Sequence, residues 1–295
     1  YIKTDGKREK LILKSGLEAE ERVLVRNSYI LSPHFVGKDL YWVQKDEMDW
    51  NIKKATMTRN GPGFNITKPF SHKGRPLMIN SFKKNNHSYI VWEERKGVKT
   101  LIRLAVIKDD EVIVLKDVTD GSYNAYDPAC TVSEEGVFYV IYSAFYRGNY
   151  QILLQAFSKN FKIKEEPIVI NNGSRPAVYP SIYPRSKGGV WISYTSIPGR
   201  NGNMFVQHLR RQAQHDFFGT LAKLKAGIFD GEMLWGVKSA PGKQGHLANW
   251  TVFGSKGAGH SQIIEDCKGR AHILFRQHNN SEDIDIDGID ETLVD

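Results

Sequence analysis

A repeat of about fifty residues constrains the fold of this chain more than any other feature. Strand-like apolar segments end in aromatic residues at positions 42, 92, 142, 194 and 275, so the spacings are 50, 50, 52 and 81 residues. A second apolar run follows ten residues after the first four aromatics, centred on Ile52, Ile102, Ile152 and Met204. A spacing that also keeps an inner register indicates an internal structural repeat.

Each repeat unit contains four short runs of period-two alternation separated by turn residues, a pattern typical of an antiparallel meander. In the third unit, Asp127-Pro128 opens the first run, Gly136 precedes the second, and 168–170 is the fourth. Four-stranded units of this length are the blades of a β-propeller. The sequence therefore predicts an all-β, five-bladed propeller with four-stranded antiparallel blades. The alternative is a fragment of a six- or seven-bladed ring.

We expect residues 1–295 to form one propeller domain whose ring is closed by pairing of the two termini. The last repeat supplies two strands, 261–264 and 272–275, and the N-terminal region supplies spare strands at 10–13 and 22–25. Completing one blade from both ends would remove an exposed sheet edge.

The long spacing before the last repeat predicts an insertion at about 211–259. Phe217, Leu221 and Leu224 have the spacing of one helical face, which predicts a short helix, and residues 239–259 read as a loop. Long loops on a propeller face often shape a pocket.

The formal net charge of +8 favours anionic partners, and among these we expect an acidic glycan. The alternative is a lysine-rich surface without a specific partner. The sequence contains no Lys/Arg-rich tail of the kind that binds nucleic acid, so nucleic-acid binding is not predicted. No apolar run is long enough to span a membrane. The repeat separates Cys130 and Cys267 by two blades, which predicts no disulfide between them. We expect a monomer in a secreted, periplasmic or other extracellular location.

Fifteen residues before the marker aromatics, three consecutive repeats carry Asp127, Tyr179 and His260. The residue that opens the first strand of a blade faces the central funnel of a propeller, so these three side chains are the predicted catalytic residues. Histidine titrates near neutral pH and serves as a general acid or base. In the alternative, Asp127 only fixes a turn before Pro128, and Tyr179 only packs the channel.

Charged residues on the loops after the second strands predict substrate binding at the rim. A guanidinium binds carboxylate, sulfate or phosphate with two hydrogen bonds, although each of these arginines could also be simply solvated. The predicted substrate-binding residues are Glu93, Glu94, Arg95, Arg147, Arg200, Arg276 and His278.

The C-terminal tail, 283–295, resembles a calcium loop in its Asp-x-Asp-x-Asp-Gly pattern. Its predicted Ca²⁺ ligands are Asp283, Asp285, Asp287 and Glu291. The departures are Ile286 and Val294, and the alternative is an acidic edge strand. No phosphate loop or zinc motif is present in the sequence, so the sequence predicts no required cofactor, and Ca²⁺ is the one candidate ion.

The segment 127–140 resembles blades of glycan-active propellers, and Gly257-Ala258-Gly259-His260 is similar to a late segment of five-bladed arabinanase- and xylosidase-type glycosidases. The resemblance implies a histidine at the ring centre and three catalytic carboxylates at first-strand openings. Asp127 matches one of them. The other two positions fall near Ser32-Pro33-His34 and at Tyr179, where this chain has no carboxylate.

His260, Tyr179, Arg147 and Arg200 also look similar to the catalytic set of propeller polysaccharide lyases. That resemblance implies arginine neutralising a uronate carboxylate while His or Tyr moves the proton. The sequence thus predicts a carbohydrate-active enzyme, either a lyase or a glycoside hydrolase using Asp127 with Glu93 or Glu94. The alternative function is a non-catalytic propeller that binds glycan or protein.

Overall fold

The computed structural model of the chain contains 22 β-strands in the residues that it describes. It describes residues 2–5, 8–13, 21–57, 64–70, 74–158, 160–163, 166–171, 176–186, 188–196, 203–209, 233–238, 258–265, 267–268, 271–279 and 282–290. Within these ranges the regular structure is entirely strand, and no helix there could cross a membrane. The chain packs as two compact units, Tyr1–Ser122 and Tyr123–Asp295.

The first unit contains three antiparallel sheets. The N-terminal sheet has three strands, β1 (Ile2–Asp5), β2 (Arg8–Leu13) and β3 (Arg22–Ser28). Blade one follows with β4 (Ile30–Val36), β5 (Asp39–Asp46), β6 (Asp49–Met57) and β7 (Phe64–Thr67). Blade two consists of β8 (Arg75–Lys84), β9 (His87–Lys96), β10 (Lys99–Lys108) and β11 (Glu111–Asp117).

The second unit contains three further sheets of the same meander order. Blade three has β12 (Ala125–Val132), β13 (Phe138–Tyr146), β14 (Asn149–Phe157) and β15 (Ile168–Val169). Blade four has β16 (Ala177–Pro184), β17 (Val190–Ser196), β18 (Asn203–Leu209) and β19 (Met233–Lys238). Blade five has β20 (Ala258–Glu265), β21 (Ala271–Asn279) and β22 (Glu282–Asp290).

The marker aromatics of the repeat lie in the second strand of all five blades, which confirms the predicted register. Trp42, Trp92 and Tyr142 are fully buried, and Tyr194 is nearly so. Large aromatic and β-branched side chains favour a pleated strand buried on its faces, and each of these central strands packs in an apolar cluster. The blade repeat is therefore a repeat of buried second strands.

Strand pairing near the C-terminus differs from two sequence expectations. The third strand of blade five is the Ile–Asp run of β22, which pairs with β21, while β1–β3 pair with one another. Blade five therefore takes its third strand from its own end of the chain, because the alternating run can extend the sheet by itself. Within the predicted insertion, β19 pairs with β18 as the fourth strand of blade four. The predicted helix at 217–224 lies outside the described residues.

Candidate functional site

A β-bulge interrupts the first strand of every blade. The pairing register shifts between Leu31 and His34 in β4, and between Pro76 and Ile79 in β8. The corresponding shifts in the second unit fall between Tyr126 and Ala129, between Val178 and Ser181, and between Gly259 and Ser261. A bulge bends the strand and re-aims a side chain, and bulges are enriched next to functional sites.

Three of these bulges hold a non-glycine residue in left-handed backbone. The φ angles are 48° at Ser32, 50° at Asp127 and 56° at Tyr179. Glycine is the usual residue at a left-handed bulge position, and another residue there costs about 1–3 kcal/mol. Asp adopts this region more readily than a bulky aromatic does, which makes Tyr179 the clearest outlier. Backbone strain at the equivalent position of three blades indicates that these side chains have a functional role.

Ser143 connects the bulges of blades three and four. This buried serine of β13 donates its hydroxyl hydrogen to Asp127 Oδ2 at 3.4 Å. Its Oγ accepts a hydrogen bond from the backbone N–H of Tyr179 at 3.1 Å. The carboxyl group of Asp127 and the backbone of Tyr179 are therefore held by one hydroxyl within the second unit.

The electrostatics of this pair give its two members different protonation behaviour. Burial raises the pKa of Asp127 to about 6, against the weaker lowering effect of the Ser143 hydrogen bond. Burial, and then the negative charge of Asp127, raise the pKa of Tyr179. Asp127 therefore titrates close to neutral pH, whereas the Tyr179 phenol keeps its proton. Near neutral pH the pair therefore combines a carboxyl group that can accept a proton with a phenol that can donate one.

The backbone places the third predicted catalytic residue, His260, at the equivalent bulge of β20. Strand β20 lies against β16, which carries Tyr179. The structure thus assigns Asp127, Tyr179 and His260 to matching positions of three consecutive first strands. The catalytic role of each remains a prediction.

Two of the predicted rim arginines are exposed. Arg147 forms the turn between β13 and β14 with Gly148, and its guanidinium lies 5.0 Å from the centre of the Tyr146 ring. Arg95 lies near the end of β9 rather than in a loop, and its Nε donates to the carbonyl oxygen of Gly97 at 3.3 Å. Both side chains are open to solvent.

Glu93 and Glu94 lie inside strand β9 and are buried, with only 5% and 2% of their surface exposed. Glu94 accepts hydrogen bonds from Arg103 Nη1 at 3.1 and 3.2 Å and from the indole of Trp92 at 3.1 Å. The Arg103 guanidinium also lies 5.5 Å from the centre of the Trp92 ring. This arrangement gives Glu94 a structural ion pair within blade two, a contact that differs from the predicted binding role at a loop.

For the other predicted binding and metal-ligating residues, the structure describes either the backbone alone or no part of the residue. Arg276 and His278 lie in β21, and Asp283, Asp285 and Asp287 lie in the edge strand β22. Arg200 and Glu291 fall outside the described residues. Where side chains are described, no group of three or more His, Cys, Asp and Glu residues is arranged to hold a metal. Calcium binding by the tail stays a prediction.

Blade one holds a further polar cluster that sequence analysis located only as a position near 32–34. The Ser32 hydroxyl donates to the carbonyl oxygen of Ile79 at 3.0 Å and accepts from the N–H of the same residue at 2.9 Å. His34 Nδ1 lies 2.7 Å from Ser81 Oγ, and burial lowers the pKa of this histidine. An X-Pro dipeptide recurs at 32–33, 127–128 and 179–180, and this repeat is a signal from which the bulges could have been predicted. No comparable signal marks Ser143.

Solved structures with the same fold support this reading of the sheets. One is an endo-arabinase from Bacteroides thetaiotaomicron VPI-5482, 14% identical, covering 88% of this chain and 94% of its own, with a TM-score of 0.52. The architecture is therefore decided. The fold is a five-bladed β-propeller. A thermostable family-43 glycoside hydrolase is also 14% identical to this propeller, covers 90% of it and 92% of its own chain, and has a TM-score of 0.52.

A neuraminidase-like protein of subtype N10, from A/little yellow-shouldered bat/Guatemala/060/2010, covers 97% of the propeller and 87% of its own chain. Its identity is 11% and its TM-score is 0.56. No protein-family model and no curated protein sequence matches the chain. The resemblance to arabinanase- and xylosidase-type propellers is thus confirmed in the fold, whereas the activity has to be argued from the site.

Proposed function

We propose that the chain is a carbohydrate-active enzyme that cleaves an acidic polysaccharide, with Asp127 and Tyr179 as its acid–base pair. The observation that carries this proposal is the shared Ser143 hydroxyl, which binds a carboxyl group of pKa about 6 and the backbone N–H of a tyrosine whose phenol stays protonated. Two proteins of the same fold are named as an endo-arabinase and a glycoside hydrolase, which supports a glycan substrate. The charge of +8 supports an acidic one.

The chemistry that suits this pair best is β-elimination at a uronate residue. The base removes the proton on the carbon beside the uronate carboxyl group, and the electron pair forms a carbon–carbon double bond as the glycosidic carbon–oxygen bond breaks. The leaving oxygen takes a proton from the acid. Ionised Asp127 suits the base and the Tyr179 phenol suits the acid, since a proton acceptor works best with a pKa near the working pH.

Positive charge near the reacting uronate would stabilise the negative charge that develops on its carboxyl group. Arg147 is the candidate for this role, because it projects from the turn of the same sheet that contains Asp127 and Ser143. His260, at the matching bulge of blade five, is the second candidate for proton transfer.

Hydrolysis is the second chemistry within this proposal, and it needs two carboxyl groups across the scissile bond. Asp127 could supply one of them when protonated. Glu94 is a poor candidate for the other, because Arg103 and Trp92 already occupy its oxygens. Glu93 is the hydrolase candidate from the sequence alone.

A non-catalytic glycan-binding platform is the competing function. The observation in its favour is Ser32, which stands at the bulge of blade one and uses its hydroxyl to bridge two strands. Blade one thus offers no carboxyl group at the position where Asp127 stands in blade three.

A degradation screen tests the proposal. The purified chain is incubated with acidic and neutral polysaccharides, and new reducing ends are followed together with the absorbance of unsaturated uronate. We expect both signals to rise on a uronate polymer, and Asp127→Asn and Tyr179→Phe each to reduce the rate by about 10²–10⁴-fold. Tyr183→Phe, on the same strand as Tyr179, is the matched control and should retain full rate.

Each other outcome has a defined reading. Reducing ends without unsaturated uronate would replace elimination with hydrolysis and direct mutagenesis to Glu93. No cleavage across the panel, combined with binding to any of the polymers, would favour the platform over the enzyme.

A further inference from the structure

We infer that a pocket in the first unit binds the anionic group of a uronate or sulfated sugar unit. The pocket has a volume of about 360 Å³ and is lined mainly by Met48, Asp49, Trp50, Asn51, Lys68 and Arg75. This volume falls in the range of small-ligand sites. The inference rests on the proposed function in one respect, which is that the ligand is an acidic glycan.

The floor of the pocket is built by the hairpin between β5 and β6. Asn51 is buried and donates to Asp46 Oδ2 at 3.1 Å, while Gln44 donates to Asp46 Oδ1 at 2.9 Å. Lys53 forms a salt bridge with the same carboxylate. These contacts neutralise Asp46 and fix the hairpin, so the pocket exists before any ligand arrives.

Arg75 supplies the main recognition group. Its guanidinium carbon lies 4.1 Å from the centre of the Trp50 ring, a cation–π contact that restrains the side chain. A guanidinium held over a ring face can still donate its N–H groups to a carboxylate or sulfate. Binding such an oxyanion with two parallel hydrogen bonds is the interaction for which arginine is most suited.

Glycine at position 74 fixes where Arg75 enters the pocket. A Cβ atom at Gly74 would lie 2.6 Å from the carbonyl oxygen of Arg95 and 2.9 Å from Cγ of Glu94. The backbone before Arg75 therefore packs directly against β9, and any larger residue would displace it. This close approach places Arg75 on a rigid strand edge rather than on a free loop.

Two positively charged side chains, Arg75 and Lys68, line the pocket. Neither Arg75 nor Lys68 forms an ion pair with another residue in the described parts of the chain. Both side chains are exposed, and both line the same cavity. Two cations and one carboxylate, Asp49, suit a sugar unit that carries an oxyanion beside hydroxyl groups. Asp49 can accept a hydrogen bond from such a hydroxyl.

Affinity electrophoresis on gels containing polygalacturonate, dextran sulfate or neutral arabinan tests this site. The chain carries Asp127→Asn throughout, so that binding is measured without turnover. We expect Arg75→Ala to weaken binding to one acidic polymer about tenfold, the value of one charge-assisted hydrogen bond, and Arg75→Lys to recover only part of it. Lys68→Ala should cause a smaller loss. None of these variants should change retention by arabinan.

Arg185→Ala is the matched control, because Arg185 lies 5.1 Å from the ring centre of Trp191 in the second unit and carries the same charge. An equal loss for Arg185→Ala and Arg75→Ala would overturn the site and leave only a general charge effect. Unchanged binding in both Arg75→Ala and Lys68→Ala would also overturn the proposed site. If the Arg75 variant does not fold, the Lys68→Ala variant alone decides the test.

The two acidic polymers separate the two sources of the oxyanion. Loss on polygalacturonate alone assigns the pocket to a uronate, and loss on dextran sulfate alone assigns it to a sulfated sugar. Failure of the proposed function can be told apart from failure of this pocket. Cleavage by the Asp127→Asn chain would contradict the proposed acid–base pair, but it would not change the comparison of binding between the Arg75→Ala and Arg185→Ala variants.

Discussion

Asp127 and Tyr179 occupy equivalent bulge positions on neighbouring first strands, and both have left-handed backbone. The hydroxyl of Ser143 forms a hydrogen bond with each of them. The hydroxyl donates to the Asp127 carboxyl group and accepts from the Tyr179 backbone, so neither strand can shift alone without breaking a contact. A strained position is kept only where the surrounding structure determines it. Here the strain is balanced by a buried serine on the second strand of blade three.

The pH dependence of stability tests the environment of Asp127. Its pKa is raised from 3.8 to about 6 on folding, so the folded state favours the protonated form. Stability contributed by this group is therefore present below about pH 4 and is lost as the pH rises toward 6. Asp127→Asn stays uncharged, and asparagine tolerates left-handed backbone. At pH 7 the variant should be more stable than the original chain, by on the order of 1–3 kcal/mol.

Urea unfolding at pH 4 and pH 7 measures this difference. The stabilisation by Asp127→Asn should be present at pH 7 and should shrink toward zero at pH 4. The same difference at both pH values would mean that ionisation of Asp127 carries no folding cost.

The pH dependence of turnover tests the direction of proton transfer. If Asp127 acts as the base, kcat/KM on the cleaved polymer rises as the pH increases through about 6, because only the ionised carboxylate accepts a proton. The Tyr179 phenol remains protonated across this range, since its pKa is raised. A rate that falls through pH 6 would instead make Asp127 the proton donor.

The ion pair of Glu94 with Arg103 should matter to stability. Their side chains are 3% and 11% exposed, so Glu94→Ala leaves a largely buried guanidinium short of one partner. Breaking such a buried pair costs about 3–5 kcal/mol. Asp117→Asn is the control, since Asp117 bonds the same Arg103 from an exposed position, where a pair is worth about 1 kcal/mol or less.

Chemical denaturation of the two variants gives these values directly. A stable Glu94→Ala chain that no longer binds acidic polysaccharide would instead support the predicted binding role of Glu94.

The two cysteines should differ sharply in reactivity. Both are free, Cys130 is buried, and Cys267 is exposed. Burial also raises the pKa of the Cys130 thiol, which suppresses the reactive thiolate. A thiol reagent should modify one cysteine in the native chain and two after denaturation, with mass spectrometry locating the first at Cys267. Rapid native labelling of Cys130 would mean that blade three opens readily.

The sequence by itself determined the blades, because strands buried on their faces require aromatic and β-branched residues at period two. Trp42, Trp92, Tyr142 and Tyr194 therefore recur at a nearly constant spacing in the second strands. X-Pro dipeptides also recur in the first strands, at 32–33, 127–128 and 179–180, although the sequence analysis did not predict bulges from them. The same repeat predicted no disulfide between Cys130 and Cys267, and both cysteines are free in the structure.

Only the tertiary structure decided which polar side chains meet. Glu94 and Arg103 are partners because β9 and β10 pair in one particular register, and Ser143 reaches Tyr179 across 36 positions of the chain. Likewise, β19 joins blade four only by pairing with β18, from inside a stretch with no repeat of its own. Such contacts depend on strand register and blade packing, which join residues distant in the chain and leave no local pattern in it.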